Sequence, residues 1–215
     1  MKKSNDDNRQ SAGDFSVWLR QTEKSYKNRT YDVNVPCGEC TACCRSSLFI
    51  HIKPEETVTL KHIPKGLLFP APGLPKGTLL MGYNENGHCP MFQNNKCSIY
   101  EVRPQTCRQF DCRIFPATKI EMDESHAAIM EQAKRWYFNM HGDTDQLESS
   151  AVLQAAQFLR DQASLFPNKA LPSNPSQLAL LAIKVHKIFL DLKKESKKIA
   201  DVEIAKRILD IMVGT

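Results

Sequence analysis

The sequence has no apolar run long enough to cross a bilayer. The longest, Leu178-Ala179-Leu180-Leu181-Ala182-Ile183, stops at Lys184, far short of the ~20 residues a span requires. It also lacks a Gly-x-x-x-x-Gly-Lys-Ser/Thr phosphate loop, a Gly-x-Gly-x-x-Gly turn, a Gly-x-Ser-x-Gly elbow and the Cys-x3-Cys-x2-Cys spacing of radical SAM enzymes. Nucleotide-dependent and serine-hydrolase mechanisms therefore lose their usual sequence basis. Charge is not biased: 29 Lys and Arg against 24 Asp and Glu give +5. With neither a basic stripe nor an aromatic stacking motif, nucleic acid is not an expected partner. The first ten residues are basic, but the roughly 7–15-residue apolar segment of a secretory signal does not follow. The expectation is a soluble, cytoplasmic protein with no membrane partner.

Cysteine is missing from the last hundred residues, because all eight fall between Cys37 and Cys112. The composition changes near Pro116, which predicts an α+β protein: a small cysteine-rich metal-binding domain followed by a mostly α-helical domain. The expected divisions are an N-terminal helical segment (1–30), a cysteine-cluster domain (31–116) and a helical domain (117–215). An amphipathic helix is expected over 14–26. Within the cysteine-rich part 48–52 and 78–83 are β-prone, and Pro54-Glu55-Glu56 reads as the first turn of a helix running to about His62. The stretch 64–77, with four prolines and three glycines, is expected to be a loop.

Four apolar stripes at helical spacing mark the second domain. They are Ile129, Met130, Ala133, Trp136, Tyr137 and Met140; Val152, Ala155, Ala156, Leu159, Ala163 and Phe166; Leu178 through Leu192, begun by an Asn174-Pro175 cap; and Val202, Ala205, Leu209 and Met212. Such stripes are the core of a helical bundle.

In a reducing compartment structural disulfides are rare, and dense cysteine patterns are more often metal sites. The spacing is Cys37-x2-Cys40-x2-Cys43-Cys44, a gap of 44 residues, then Cys89-x7-Cys97-x9-Cys107-x4-Cys112. A Cys-x2-Cys turn presents two sulfurs to one metal, and the three sulfurs of Cys37, Cys40 and Cys43 also suit a ferredoxin-type loop around an iron–sulfur cluster. The expected cofactor is zinc or an iron–sulfur cluster, in one or two centres. Adjacent side chains diverge, so Cys44 should differ in role from Cys43: a ligand to a second metal, a reactive thiol or a buried apolar residue. The Asn94-Asn95 pair predicts a tight turn that brings Cys89 and Cys97 together across a hairpin. Arg103, Arg108 and Arg113 flank the last cysteines, where they would either offset thiolate charge or serve as ordinary surface charge. His51, His62 and His88 are the histidines that could replace a sulfur, while Glu55 and Glu56 read as helix-starting charges.

The order Cys-x2-Cys-x2-Cys-Cys, then Gly87-x-Cys89-Pro90, then Cys97-x-Ile99-Tyr100-x-x-Arg103-Pro104-x-x-Cys107-Arg108 resembles the YkgJ-type cysteine-cluster family of zinc- or iron-chelating domains. The resemblance implies ligation by Cys37, Cys40, Cys43, Cys44, Cys89, Cys97 and Cys107, with Cys112 at the edge of the pattern as an eighth candidate, and a place for Arg103-Pro104. Two functions follow. One is a metal-binding protein in which the metal is mainly structural or accessory. The other is an iron–sulfur redox or group-transfer enzyme using Cys44 and Cys112. The partner common to both is the metal ion or cluster, and the sequence names no protein partner.

Overall fold

In the computed structural model of the chain the described residues are 9–28, 35 and 37–214; the basic start of the chain, 1–8, lies outside them. The order begins β1 (Gln10–Asp14), α1 (Phe15–Asn28), β2 (Ile50–Ile52), α2 (Thr57–His62), β3 (Leu68–Pro70) and β4 (Leu79–Met81). It continues with β5 (Phe92–Gln93), β6 (Lys96–Cys97), α3 (Gln105–Gln109), α4 (Ile114–Thr118) and α5 (Ala127–Arg135). It ends with β7 (Trp136–Asn139), α6 (Asp143–Asp161), α7 (Pro175–Lys194) and α8 (Asp201–Val213). Helix dominates and the sheets are small, which is the expected α+β class.

The described residues form two compact units that interleave in sequence: 1–30, 112–121 and 133–215 in one, 31–111 and 122–132 in the other. In the first, α6 lies along α7, and α1 and α4 pack on both. Ala151, Val152, Ala155 and Ala156 of α6 and Ala179, Ala182, Ile183 and Val185 of α7 are completely buried. So many small side chains let the two backbones approach closely. Helix α7 starts where expected: the Asn174 side chain accepts from the Gln177 N–H at 3.1 Å, with Pro175 in the first turn.

One helical expectation fails. The stripe through Trp136, Tyr137 and Met140 does not continue α5, because Trp136–Asn139 is a strand paired in parallel with β1. A run of three aromatics favours extended backbone, and a strand far away in sequence supplies the hydrogen bonds. The ladder shifts register between Ser11 and Asp14, where Gly13 takes φ +83°, a conformation glycine adopts without a Cβ penalty. The shift accompanies a cluster of Phe15, Trp18 and Phe138 with ring centroids 4.7–5.6 Å apart.

The second unit holds a three-stranded antiparallel sheet, β2-β4-β3, with Ile50 opposite Met81 and Leu68 opposite that same residue. Strand β3 lies inside the proline-rich stretch expected to be a loop. Pro70 fits there because β3 is an edge strand and ends at that residue. Ile50, Ile52, Ile63, Met81, Met91 and Ile99 form the unit's apolar cluster. Cys89, Cys97 and Cys107 pack against it.

Candidate metal centre

All eight cysteines are free thiols. Seven belong to the second unit and Cys112, which is buried, to the first. Cys37 and Cys40 are the ends of a tight turn, with the Cys40 N–H donating to Cys37 O at 2.8 Å. Cys43 and Cys44 start a short 3-10 turn, closed by Ser46, whose hydroxyl donates to Ala42 O at 3.0 Å.

Two distant segments meet at this point. The Cys89 N–H donates to Cys44 O at 2.8 Å, across the 44-residue gap. Gly87, at φ +73°, allows the approach: a Cβ there would stand 2.6 Å from the Ser47 hydroxyl. From Cys89 the chain enters the β5–β6 hairpin, in which Phe92 pairs with Cys97. Asn94 and Asn95 both take positive φ, 50° and 58°, as a two-residue type I′ turn demands. The asparagine pair therefore makes the expected turn, and Cys89 and Cys97 interact electrostatically across it.

Cys107 arrives on α3, whose start is fixed by a carboxylate. Glu56 accepts the Lys53 N–H at 2.9 Å and the Gln105 N–H at 2.6 Å, so it clasps α3 rather than merely opening α2. Two further bonds hold the same region: Thr106 donates to His51 O at 2.7 Å and Thr59 to Val102 O at 2.8 Å.

The thiols of Cys44, Cys89, Cys97 and Cys107 are near enough to influence one another electrostatically. The Cys44 thiol is hydrogen-bonded to Cys97. That bond, then burial, then the neighbouring sulfurs of Cys97, Cys89 and Cys107 hold its pKa far above the usual thiol value. The same bond from Cys44 lowers Cys97 to about 6, helped by the Ile99 N–H and the charge of Arg103 and opposed by burial. The two thus share one proton, kept on Cys44. Cys89 is raised, chiefly by burial, although its sulfur accepts the Met91 and Phe92 N–H groups. Burial and the sulfurs of Cys89 and Cys97 push Cys107 up to about 12, with Arg103 pulling down and Glu56 pushing up.

As the thiols stand, no three His, Cys, Asp or Glu side chains among the described residues are arranged to hold a metal ion. The donor set nevertheless fits one. It is all soft sulfur, and backbone N–H groups already point at Cys89 and Cys97, as they do around ligating thiolates. Burial favours the neutral thiol at Cys89 and Cys107, and ligation would remove those protons. Of the candidate histidines, the His62 ring lies 2.8 Å from Val58 O and the His88 ring packs against Phe92 with the two planes nearly perpendicular.

Seven cysteines concentrated in one α+β unit are the donor composition of a metal-chelating domain. Residues 36–133, a little under half of the chain, match the family CxxCxxCC, described as "Putative zinc- or iron-chelating domain". It is the family that the cysteine order resembles. No curated protein and no solved structure matches the chain significantly. No helix among the described residues is long and apolar enough to cross a membrane.

Proposed function

We propose that the protein chelates zinc or iron through one centre built from Cys44, Cys89, Cys97 and Cys107, and that the bound metal mainly holds the cysteine-rich unit in shape. The proximity of these four thiols, drawn from three chain segments, carries the reading. Cys37, Cys40 and Cys43 are further donors of the same unit, able to serve a further ion or a cluster, and the proposal gives Cys112 no ligand role. Sulfur-only ligation that leaves no open position is the pattern of structural rather than catalytic sites. The metal would be released as protons reoccupy the thiols.

The test is anaerobic purification of the full chain followed by elemental analysis and absorption spectroscopy. Zinc gives colourless protein, and an iron–sulfur cluster gives brown protein with visible charge-transfer bands. Replacing Cys97 by Ser should remove at least one metal equivalent and lower the melting temperature together. Full metal content and an unchanged melting point in that variant would refute the assignment. The hydrogen-bonded Cys44–Cys97 pair favours one alternative, a redox role, because a thiol beside a low-pKa thiol is where disulfide formation starts. Metal-free protein that forms a reversible Cys44–Cys97 disulfide under mild oxidation supports that alternative.

A further inference from the structure

The β2-β4-β3 sheet turns one face away from the apolar cluster. Side chains alternate along a strand, and Ile50, Ile52, Leu68 and Met81 belong to or pack on that cluster. Phe49, His51, Phe69 and Leu80 therefore lie on the opposite face, with Leu80 paired to both His51 and Phe69. Tyr83, just beyond β4, joins them: the Phe49 ring centroid stands 5.3 Å from that of Tyr83 and 6.3 Å from that of Phe69. Despite these contacts Phe49, Phe69 and Tyr83 remain 53%, 40% and 44% exposed, and His51 is exposed as well. Charge around the face has one sign. From Thr57 to Asn84 the chain carries Lys61, Lys65 and Lys76 and no Asp or Glu. Lys65 opens the turn into β3, at the end of the sheet where Leu68 pairs with Met81. Lys76 precedes β4 at the other end, where Thr78 O accepts the Ala71 N–H. Along the strands the rings lie between these two exposed lysines. Of the nearest acids in sequence, Glu56 is engaged by the Lys53 and Gln105 N–H groups, and Glu85 sits in the turn that follows Asn84.

We propose that this face binds a short stretch of single-stranded nucleic acid, with about two or three bases stacked on Phe49, Phe69 and Tyr83 and the backbone phosphates met by Lys65 and Lys76. A sheet that displays aromatic side chains is a platform on which unpaired bases stack with little regard to sequence, and the strand's phosphates require cations beside it. The occupant must be slim. Three strands of three residues give a face about 10 Å by 10 Å, a small fraction of the roughly 800 Å² per partner that a stable protein interface buries. His51 adds a fourth planar side chain, one with polar nitrogens, which suits a base rather than a lipid chain. No contiguous motif announces the site, because its rings come from positions 49, 69 and 83 and only the sheet assembles them.

The test is fluorescence anisotropy of a labelled oligothymidine of about 10 nucleotides, titrated at low salt with the anaerobically purified full chain. Binding is expected with a dissociation constant on the order of 1–100 µM, weakening as salt rises. Phe49→Leu and Phe69→Leu keep apolar bulk but lose the ring, and each should weaken binding at least about five-fold, the loss of one stacked base. Lys65→Gln and Lys76→Gln should each lower the salt slope by about one. All four side chains are exposed, so the fold should survive every substitution. Absence of binding by the parent, full affinity in both leucine variants, or equal binding of duplex DNA overturns the proposal. Equal binding of polyglutamate or of phosphatidylserine vesicles overturns it too, and would mark the face as a surface for acidic peptide or for lipid.

Discussion

The two units are built on different physics. The helical unit is held by apolar burial: Phe15, Trp18 and Leu19 of α1, Leu159 of α6 and Ile208 of α8 all sit at 2% exposure or less. The cysteine-rich unit has an apolar cluster of six residues, walled on one side by thiols, and three sheetlets or turns that could not stand alone in water. At about 1.5–3 kcal/mol per fully buried aliphatic side chain, the first unit can offset its chain entropy with side chains alone. Under the proposed function the second would depend on the metal that joins its sulfurs.

The largest effect should come from removing the metal. A chelator strong enough to strip the full chain should deprotect the amides of β2, the β5–β6 hairpin and α3 while those of α6 and α7 stay slow, as read by segment-resolved hydrogen exchange. Zinc supplies on the order of 10 kcal/mol to units with no core of their own; with six apolar residues already packed, a loss of about half that is expected. Uniform deprotection of both units, or of neither, would break the contrast.

The converse experiment is smaller. Leu159→Ala empties a site 1% exposed in α6 and should destabilise the helical unit by about 3 kcal/mol. The same cost should be measured in urea whether or not metal is present. A metal-dependent cost would mean that the units share their stability.

The helices were legible because their signal repeats over many residues: α7 and α8 follow their stripes, α6 follows its own as far as Leu159 but ends at Asp161 before Ala163 and Phe166, and Asn174-Pro175 marks the start of α7 in both sequence and structure. Strand β7 was not, since Trp136 and Tyr137 fit a helical stripe until the distant partner β1 claims them. At the site, the hairpin could be read from Asn94-Asn95, a local device. All eight cysteines were candidate ligands from the sequence, with spacing drawing attention to Cys37, Cys40 and Cys43; that Cys44 lies by Cys97, next to a backbone bond from Cys89, leaves no mark in the sequence. Glu56 was missed as the clasp of α3 for the same reason, its partner Gln105 lying 49 residues on.

Acid should separate the units by a smaller margin and for different reasons. In the helical unit Asp145 accepts the Ser16 N–H at 2.9 Å and the His141 N–H at 3.1 Å. These bonds, the Ser16 backbone foremost, hold its carboxyl below the ordinary carboxylate value. A depressed folded-state pKa adds stability that is complete above the unfolded value of about 4 and is lost as pH falls through the folded one. The helical unit should therefore keep its urea midpoint down to about pH 4 and weaken below it, and Asp145→Asn should flatten that fall. The cysteine-rich unit should give way at a higher pH, because protons compete with the metal for thiolates long before carboxylates titrate. Loss of both units at one pH, unaffected by Asp145→Asn, would show that a single set of groups governs the whole chain.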